Sequence, residues 1–273
     1  MSHIIEKNDI KTRRVFINNC ILQNTKLGTK RILPYIFFAV HRSLYDTVYL
    51  TVNDLVEWFD YKPNTHKGKI NDNIKELLMK FEEYDYCSYK RSLENSVTSI
   101  VKLNKNYFVD NDNFALLYLD EILKIIHHKR VLISLNEEVI TEKVEIILLV
   151  FSYLRKNIMR RSVIMDSETD IIRNPETLLK YYSEIAGYLS INERAVSKSI
   201  EILSKLKLIH FEILPRYQKS NKWYTNRVIF VNYYKRYNLK GIMYEISGKE
   251  YYQKEIENKK KQLDKISLTE RRK

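Results

Sequence analysis

Residues 189–212 read LSINERAVSKSIEILSKLKLIHFE, and a turn, a helix and a strand follow one another there with little slack. Asn192 is suited to accept a hydrogen bond from an otherwise unpaired backbone N–H at a helix start. Behind it Val196, Ile200, Leu203 and Leu206 recur at helical spacing as a buried stripe, while Arg194, Ser197, Lys198, Glu201 and Lys205 line the opposite face. From Leu208 the pattern turns into the β-type run LIHFEIL. A helix that only packs needs no long-armed, hydrogen-bonding residues at the start of its outer face, although a solvated surface helix carries charge there too.

The flanks extend this unit. Upstream, TLLKYYSEIAGYLS predicts a further amphipathic helix, with Ile185 and Ala186 inside it and Leu189 and Ile191 beside the turn. Downstream, LIHFEIL and WYTNRVIFVNYY read as paired strands joined by the Pro-led basic tip PRYQKSNK. Between Ile213 and Lys240 seven basic residues (Arg216, Lys219, Lys222, Arg227, Lys235, Arg236, Lys240) meet no acidic one, and Tyr217, Trp223, Tyr224, Tyr233, Tyr234 and Tyr237 are interleaved with them. Such a block fits phosphate neutralisation with flat side chains lying on a nucleic-acid backbone. A basic sheet edge that discourages aggregation would have the same composition.

A similar order can be traced nearer the N-terminus. Ile32 to Leu44 has helical spacing, TVYLT is strand-like, and VNDLVEWFD places Leu55, Val56 and Phe59 on one helix face. After the turn YKPNTHKGK, Ile70, Ile74, Leu77, Leu78 and Phe81 mark an amphipathic helix, and two β-type runs, YCSYKR and VTSIVKLN, follow it. A polar joint is expected at 106–113, then a strand FALLYL, a helix from Asp120 to His128, a longer one from about Asn136 to Lys156, and a surface loop over 157–176. The fold class expected is mainly α with small β-wings (α+β), in two units of one layout. The boundaries are a basic N-terminal arm at 1–30 with a small role in the core, an N-terminal unit at 31–110, a C-terminal unit at 111–245 and a charged tail at 246–273.

The stretch SEIAGYLSINERAVSKSIEILSKLKLI resembles the helix-turn-helix of winged-helix DNA-binding proteins, with Ser190 where those proteins often have Gly and Asn192 where they often have Ser or Thr. Two such units in tandem across roughly 30–240 are similar to theta-type plasmid replication initiators and phage replisome organisers. The resemblance implies double-stranded DNA as partner, recognition-helix contacts from Arg194, Ser197, Lys198, Glu201 and Lys205, and wing contacts from Arg216, Tyr217, Lys219, Lys222 and Arg227. It further implies homodimerisation through the N-terminal unit and recruitment of host replication proteins. MarR-like transcriptional regulators share the motif, so a regulator is an open alternative, as is a protein-binding scaffold.

The two units differ in charge. From Asn71 to Asp85, Lys75 and Lys80 stand against Asp72, Glu76, Glu82, Glu83 and Asp85, whereas from Glu193 to Lys207, Arg194, Lys198, Lys205 and Lys207 stand against Glu193 and Glu201. Acidic groups repel phosphate, so the C-terminal unit is expected to dominate DNA binding and the N-terminal one to serve dimerisation or partner binding, with loop contacts from Lys62, Lys67 and Lys69; binding of successive half-sites by both units is the open alternative.

Whole-chain properties agree with these expectations. The 47 Lys and Arg against 34 Asp and Glu give a formal charge of +13, which favours polyanionic partners. Cys20 and Cys87 are too few for a disulfide framework or a thiolate metal site, and a reducing cytoplasm is expected, with the protein associated with nucleoid or plasmid. The N-terminus has no signal-type apolar region, and EIILLVFSYL at 145–154 is too short to span a bilayer, so no membrane partner is expected. The five scattered glycines form no phosphate-cradling loop, the histidines lack the His-hydrophobic-His spacing of strand-cleaving initiators, and DNDN at 110–113 lacks the glycine and closing glutamate of a calcium loop. No catalytic residue, metal or cofactor is expected.

Overall fold

The computed structural model describes residues 13–90, 93–108, 114–158, 163–164, 172–173, 177–213, 217–219, 222–224 and 228–238. They form an α+β structure of helices and small antiparallel sheets. The first half contains β1 (Arg14–Asn18), α1 (Asn19–Gln23), α2 (Ile32–His41), β2 (Thr47–Leu50), α3 (Val52–Trp58), α4 (Ile70–Glu83), β3 (Cys87–Tyr89) and β4 (Ser99–Leu103). The second contains β5 (Phe114–Tyr118), α5 (Leu119–Ile126), α6 (His128–Ser134), α7 (Val144–Asn157), the two-residue pair β6 (Val163–Ile164) and β7 (Ile172–Arg173), then β8 (Thr177–Lys180), α8 (Tyr182–Leu189), α9 (Glu193–Lys205), β9 (Ile209–Ile213), β10 (Tyr217–Lys219), β11 (Lys222–Tyr224) and β12 (Val228–Asn232).

Within each half a helix, a strand, two helices and a final pair of strands succeed one another, and the three strands join in the same way. In the orders β2-β4-β3 and β8-β12-β9 the last strand lies in the middle, antiparallel to both neighbours. The backbone turns correspond too. Asp60 and Ser190 follow α3 and α8 in the left-handed region (φ 62° and 56°), and Asp85 and Lys207 follow α4 and α9 likewise (both 59°). After each, an N–H reaches back to the helix end: Tyr61 to Val56 O, Ile191 to Ala186 O, Tyr86 to Phe81 O and Leu208 to Leu203 O, at 2.9–3.2 Å. These bonds satisfy carbonyls that a helix end leaves orphaned.

Two helices make the centre. In α2 every residue from Ile32 to Phe38 is buried, and in α7 burial runs unbroken from Ile147 to Leu154. A helix apolar all round is a central one, which explains why the two longest apolar runs lack a polar face. Ser152 survives inside α7 because its hydroxyl donates to the Leu148 carbonyl at 2.7 Å.

Several expectations need correction. Residues 14–27 are not an arm with a small role in the core: Val15, Ile17, Ile21 and Leu22 are fully buried, and β1 pairs with β5 from Arg14↔Tyr118 to Asn18↔Phe114. Residues 1–12 lie outside the described residues. The segment 177–180 is not the start of a helix but β8, one of the two edge strands of the sheet β8-β12-β9. The long helix expected from 136 begins at Val144, because α6 ends at Ser134 and Asn136 turns left-handed (φ 56°). Most of 157–176 and all of the tail at 246–273 fall outside the described residues.

Arg31 ties these parts together. It is 1% exposed, and among the described residues no carboxylate pairs with it. Its Nε donates to Ile21 O (2.8 Å), Nη1 to Gly28 O (2.7 Å), and Nη2 to Leu22 O (2.8 Å) and Leu189 O (3.3 Å). Ile21 and Leu22 belong to short α1, whose terminal carbonyls have no helical partner, and Leu189 ends α8 in the other half. Burial pulls the guanidinium down to about 10, so it is cationic at neutral pH. Arg31→Ala is expected to cost about 3 kcal/mol or more in urea unfolding, because a cavity and unsatisfied carbonyls remain together. Arg31→Lys should recover only part of this, since an ammonium lacks the planar fork that reaches both halves.

His128 at the start of α6 is buried, and its Nδ1 lies 3.0 Å from Ile125 O, which assigns the proton to Nδ1. Burial lowers its pKa from the ordinary 6.5, partly opposed by that bond. The unfolded chain therefore binds the proton more readily, and stability should fall as pH drops below about 6.5 and be regained above it. Chemical denaturation between pH 5 and 7.5 checks this: His128→Gln should flatten the acid limb relative to the parent chain.

Candidate nucleic-acid interface

The turn between α8 and α9 is tightly specified. Ser190 occupies the left-handed cap position, a conformation that glycine adopts without the Cβ penalty. Asn192 is the N-cap of α9, and its Oδ1 accepts from Ala195 N at 2.7 Å. Ala195, Val196, Ser199, Ile200, Ile202 and Leu203 are buried, largely against α7 and α8, which fixes the rotation of α9 about its axis.

That rotation decides what the outer face offers. Arg194, Ser197 and Glu201 are exposed, as the spacing predicts. Lys198 and Lys205 are on the same side but are not free. Lys198 Nζ donates to the Thr141 carbonyl at 3.5 Å, and Lys205 Nζ lies 3.7 Å from Glu137 and 3.8 Å from Glu201, with only 20% of its side chain exposed. Glu137 and Thr141 come from the connection between α6 and α7.

Of the residues expected on a wing, Tyr217 and Lys219 stand on β10 and Lys222 on β11, in the register Tyr217↔Tyr224 and Lys219↔Lys222. The basic tip is thus a ribbon of its own, added beyond β9 and β12. Arg216 and Arg227 lie outside the described residues. Past β12, the Arg236 guanidinium stacks between the rings of Tyr233 and Tyr237, 4.1 and 3.9 Å from their centroids, and Tyr234 and Tyr237 are exposed.

The α8 side of the motif is anchored from below by residues that no sequence pattern singles out. Tyr188 Oη donates to Asn19 Oδ1 at 2.6 Å, Lys156 Nζ donates to the same oxygen, and the ammonium also sits 5.8 Å from the Tyr188 ring centroid. Asn19 and Lys156 are 137 residues apart, so only the fold brings them together.

The first half presents its corresponding surface differently. Between β3 and β4 the chain folds back on α3, where Val52 N–H reaches Glu94 O (3.2 Å) and Asn53 N–H reaches Asn95 O (3.0 Å). Buried Asn71 locks this arrangement, donating to Asn53 Oδ1 (2.7 Å) and Asn95 Oδ1 (3.2 Å) and accepting from Asn64 N (2.7 Å). Lys62, Lys67 and Lys69 remain exposed on the loop between α3 and α4.

A cavity of about 410 Å³ separates that loop from the second half, lined among others by Asp60, Tyr61, His127, His128, Arg130 and Lys143. Arg130 bridges to Asp60 at 2.9 Å across it, and Tyr61 donates to Glu145. Among the described residues, His127 Nδ1 and His128 Nε2 find no hydrogen-bond partner, although His127 Nδ1 lies 3.9 Å from an Asp60 oxygen. Among the described residues no group of His, Cys, Asp and Glu is arranged to hold a metal ion.

No protein-family model matches the chain. It is 25% identical over 228 residues to a protein named uncharacterized membrane protein ycf78 from Helicosporidium sp. subsp. Simulium jonesii, an alignment that covers 78% of this chain. The chain spans only 19% of that relative's length. Among the described residues no helix is long and apolar enough to cross a membrane.

The cap geometry is directly testable. Ser190→Gly should stabilise the chain by roughly 0.5–1 kcal/mol by relieving the left-handed penalty, and Asn192→Ala should destabilise it by about 1 kcal/mol through the lost cap. Thermal melts of the two variants, read against the parent, check both signs.

Proposed function

We propose that the chain is a tandem winged-helix protein that binds double-stranded DNA sequence-specifically through α9. Its layout resembles that of theta-type plasmid replication initiators, and recognition of origin repeats is the role it fits best. The observation that carries this reading is the outer face of α9: Arg194, Ser197 and Glu201 stand exposed on a helix whose start is capped by Asn192 and whose inner face is locked against α7 and α8. A rigid helix start presenting an arginine and a short hydroxyl is suited to the edges of bases in the major groove.

The ribbon β10–β11 and the stacked Arg236 would contact phosphates on either side, which adds affinity without sequence preference. The first half would not read bases. Its own ribbon is folded against α3, and its third helix is acidic where phosphate would lie. It instead offers Leu44, Tyr45 and Tyr49, exposed on and beside the unpaired edge of β2, to a second copy or a replication protein.

Fluorescence anisotropy on tiled duplexes from around the chain's own gene, against random duplex at several salt concentrations, tests the reading. Binding to one repeated segment supports an initiator, and binding to a single palindrome over a promoter supports a transcriptional regulator. Absence of salt-dependent DNA affinity overturns both. On the preferred duplex Arg194→Ala should weaken binding by about 1–3 kcal/mol and relax one base position, whereas Lys219→Ala should weaken preferred and random DNA alike.

A further inference from the structure

The connection 136–143, NEEVITEK, runs along the flank of α9. Its three carboxylates, Glu137, Glu138 and Glu142, face one lysine of its own. Glu137 holds Lys205 at 3.7 Å, and the Thr141 carbonyl holds Lys198 at 3.5 Å. Two of the four basic residues between Glu193 and Lys207 are therefore engaged by a segment that is itself acidic.

The segment is lightly tethered. Glu137 N–H closes the end of α6 on Leu132 O, and Lys143 N–H is taken by the Glu142 side chain. Among the described residues, no backbone–backbone hydrogen bond of a turn or ladder is made by the N–H groups from Glu138 to Thr141. Half-buried Ile140 packs on the core, while Glu137, Glu138, Val139 and Thr141 are exposed. A partly exposed ion pair at such a distance is weak and partly screened by salt, so a phosphate can compete with it.

We propose that the 136–143 strap is an autoinhibitory contact: Glu137 and the Thr141 carbonyl occupy Lys205 and Lys198 in the free protein, and DNA must displace them before both lysines can meet the backbone. This rests on α9 being the DNA-binding helix. The chemistry is an exchange of partners, in which an ammonium leaves a carboxylate for a phosphodiester oxygen, and no bond is made or broken. The strap lowers affinity for every duplex, because phosphate contacts are common to all of them.

The test uses the full chain and measures binding to a random duplex and to the preferred duplex across salt concentrations. Glu137→Gln keeps the side-chain size at an exposed position and removes the charge. It is expected to tighten binding to both duplexes, by up to roughly eight-fold at 0.1 M salt if one further phosphate contact forms, and to steepen the log–log salt slope by about 0.9. Lys205→Ala in the Glu137→Gln background should abolish that gain.

Unchanged affinity and slope in Glu137→Gln, with a thermal melt like that of the parent, would overturn the proposal and leave DNA binding by α9 standing. A gain that survives Lys205→Ala would overturn it too, since the effect would then be general charge rather than competition for that lysine. If neither parent nor variant binds any duplex at low salt, the DNA-binding reading falls and the strap proposal with it.

Discussion

A buried guanidinium that donates to four backbone carbonyls holds this molecule in register. An isolated buried charge is costly, and an arginine is tolerated only where its fork meets acceptors already in place. Arg31 finds them at the end of α1, at Gly28 and at the end of α8. The last of these is the carbonyl immediately before the turn that orients α9. The segment 21–28, the first central helix and the turn between α8 and α9 are thus tied by one side chain. Asn19, Lys156 and Tyr188 repeat the same economy on the neighbouring face of α8.

The two halves share a topology and even their left-handed turn positions, yet local chemistry gives them different surfaces. In the first, the carbonyls of Glu94 and Asn95 accept from the early N–H groups of α3, the Asn71 amide ties the side chains of Asn53 and Asn95 together, and Thr51 caps Asp54 N–H. That arrangement satisfies a helix start, and it also commits the ribbon to the body of the protein. In the second half the Tyr181–Glu184 cap serves the start of α8 without help from the ribbon, so β9 and β12 can run on into a separate basic hairpin. The same elements therefore give a closed surface once and an extended one once.

The amphipathic helices were legible in the sequence because their stripes are clean: Ile74, Leu77, Leu78 and Phe81 in α4, and Val196, Ile200 and Leu203 in α9, are all buried. The turn at Asn192 was legible for the same local reason, its cap being written in adjacent residues. The strands β1 and β8 were not. RVFIN buries two adjacent residues, Ile17 and Asn18, and TLLK buries Thr177 beside Leu178, so neither shows a clean alternation of apolar and polar residues. Both are strands because a distant strand supplies the ladder. Of the candidate site, Arg194, Ser197 and Glu201 could be placed from spacing alone, whereas the engagement of Lys198 and Lys205 could not, since Thr141 and Glu137 meet them only after the chain has passed through α7.

The pairing of β1 with β5 is centred on Phe16↔Leu116, with Arg14 opposite Tyr118 and Asn18 opposite Phe114. One strand opens the first half and the other opens the second, so β1, once synthesised, cannot complete its ladder until about a hundred residues later. Domains generally fold as units during synthesis, and a contact of such sequence separation is slow to close. Val15 and Ile17 must wait, with α2 and the sheet β2-β4-β3 already able to form behind them. The first half is thus finished by the beginning of the second, and the order of synthesis makes the two halves a single folding problem rather than two consecutive ones.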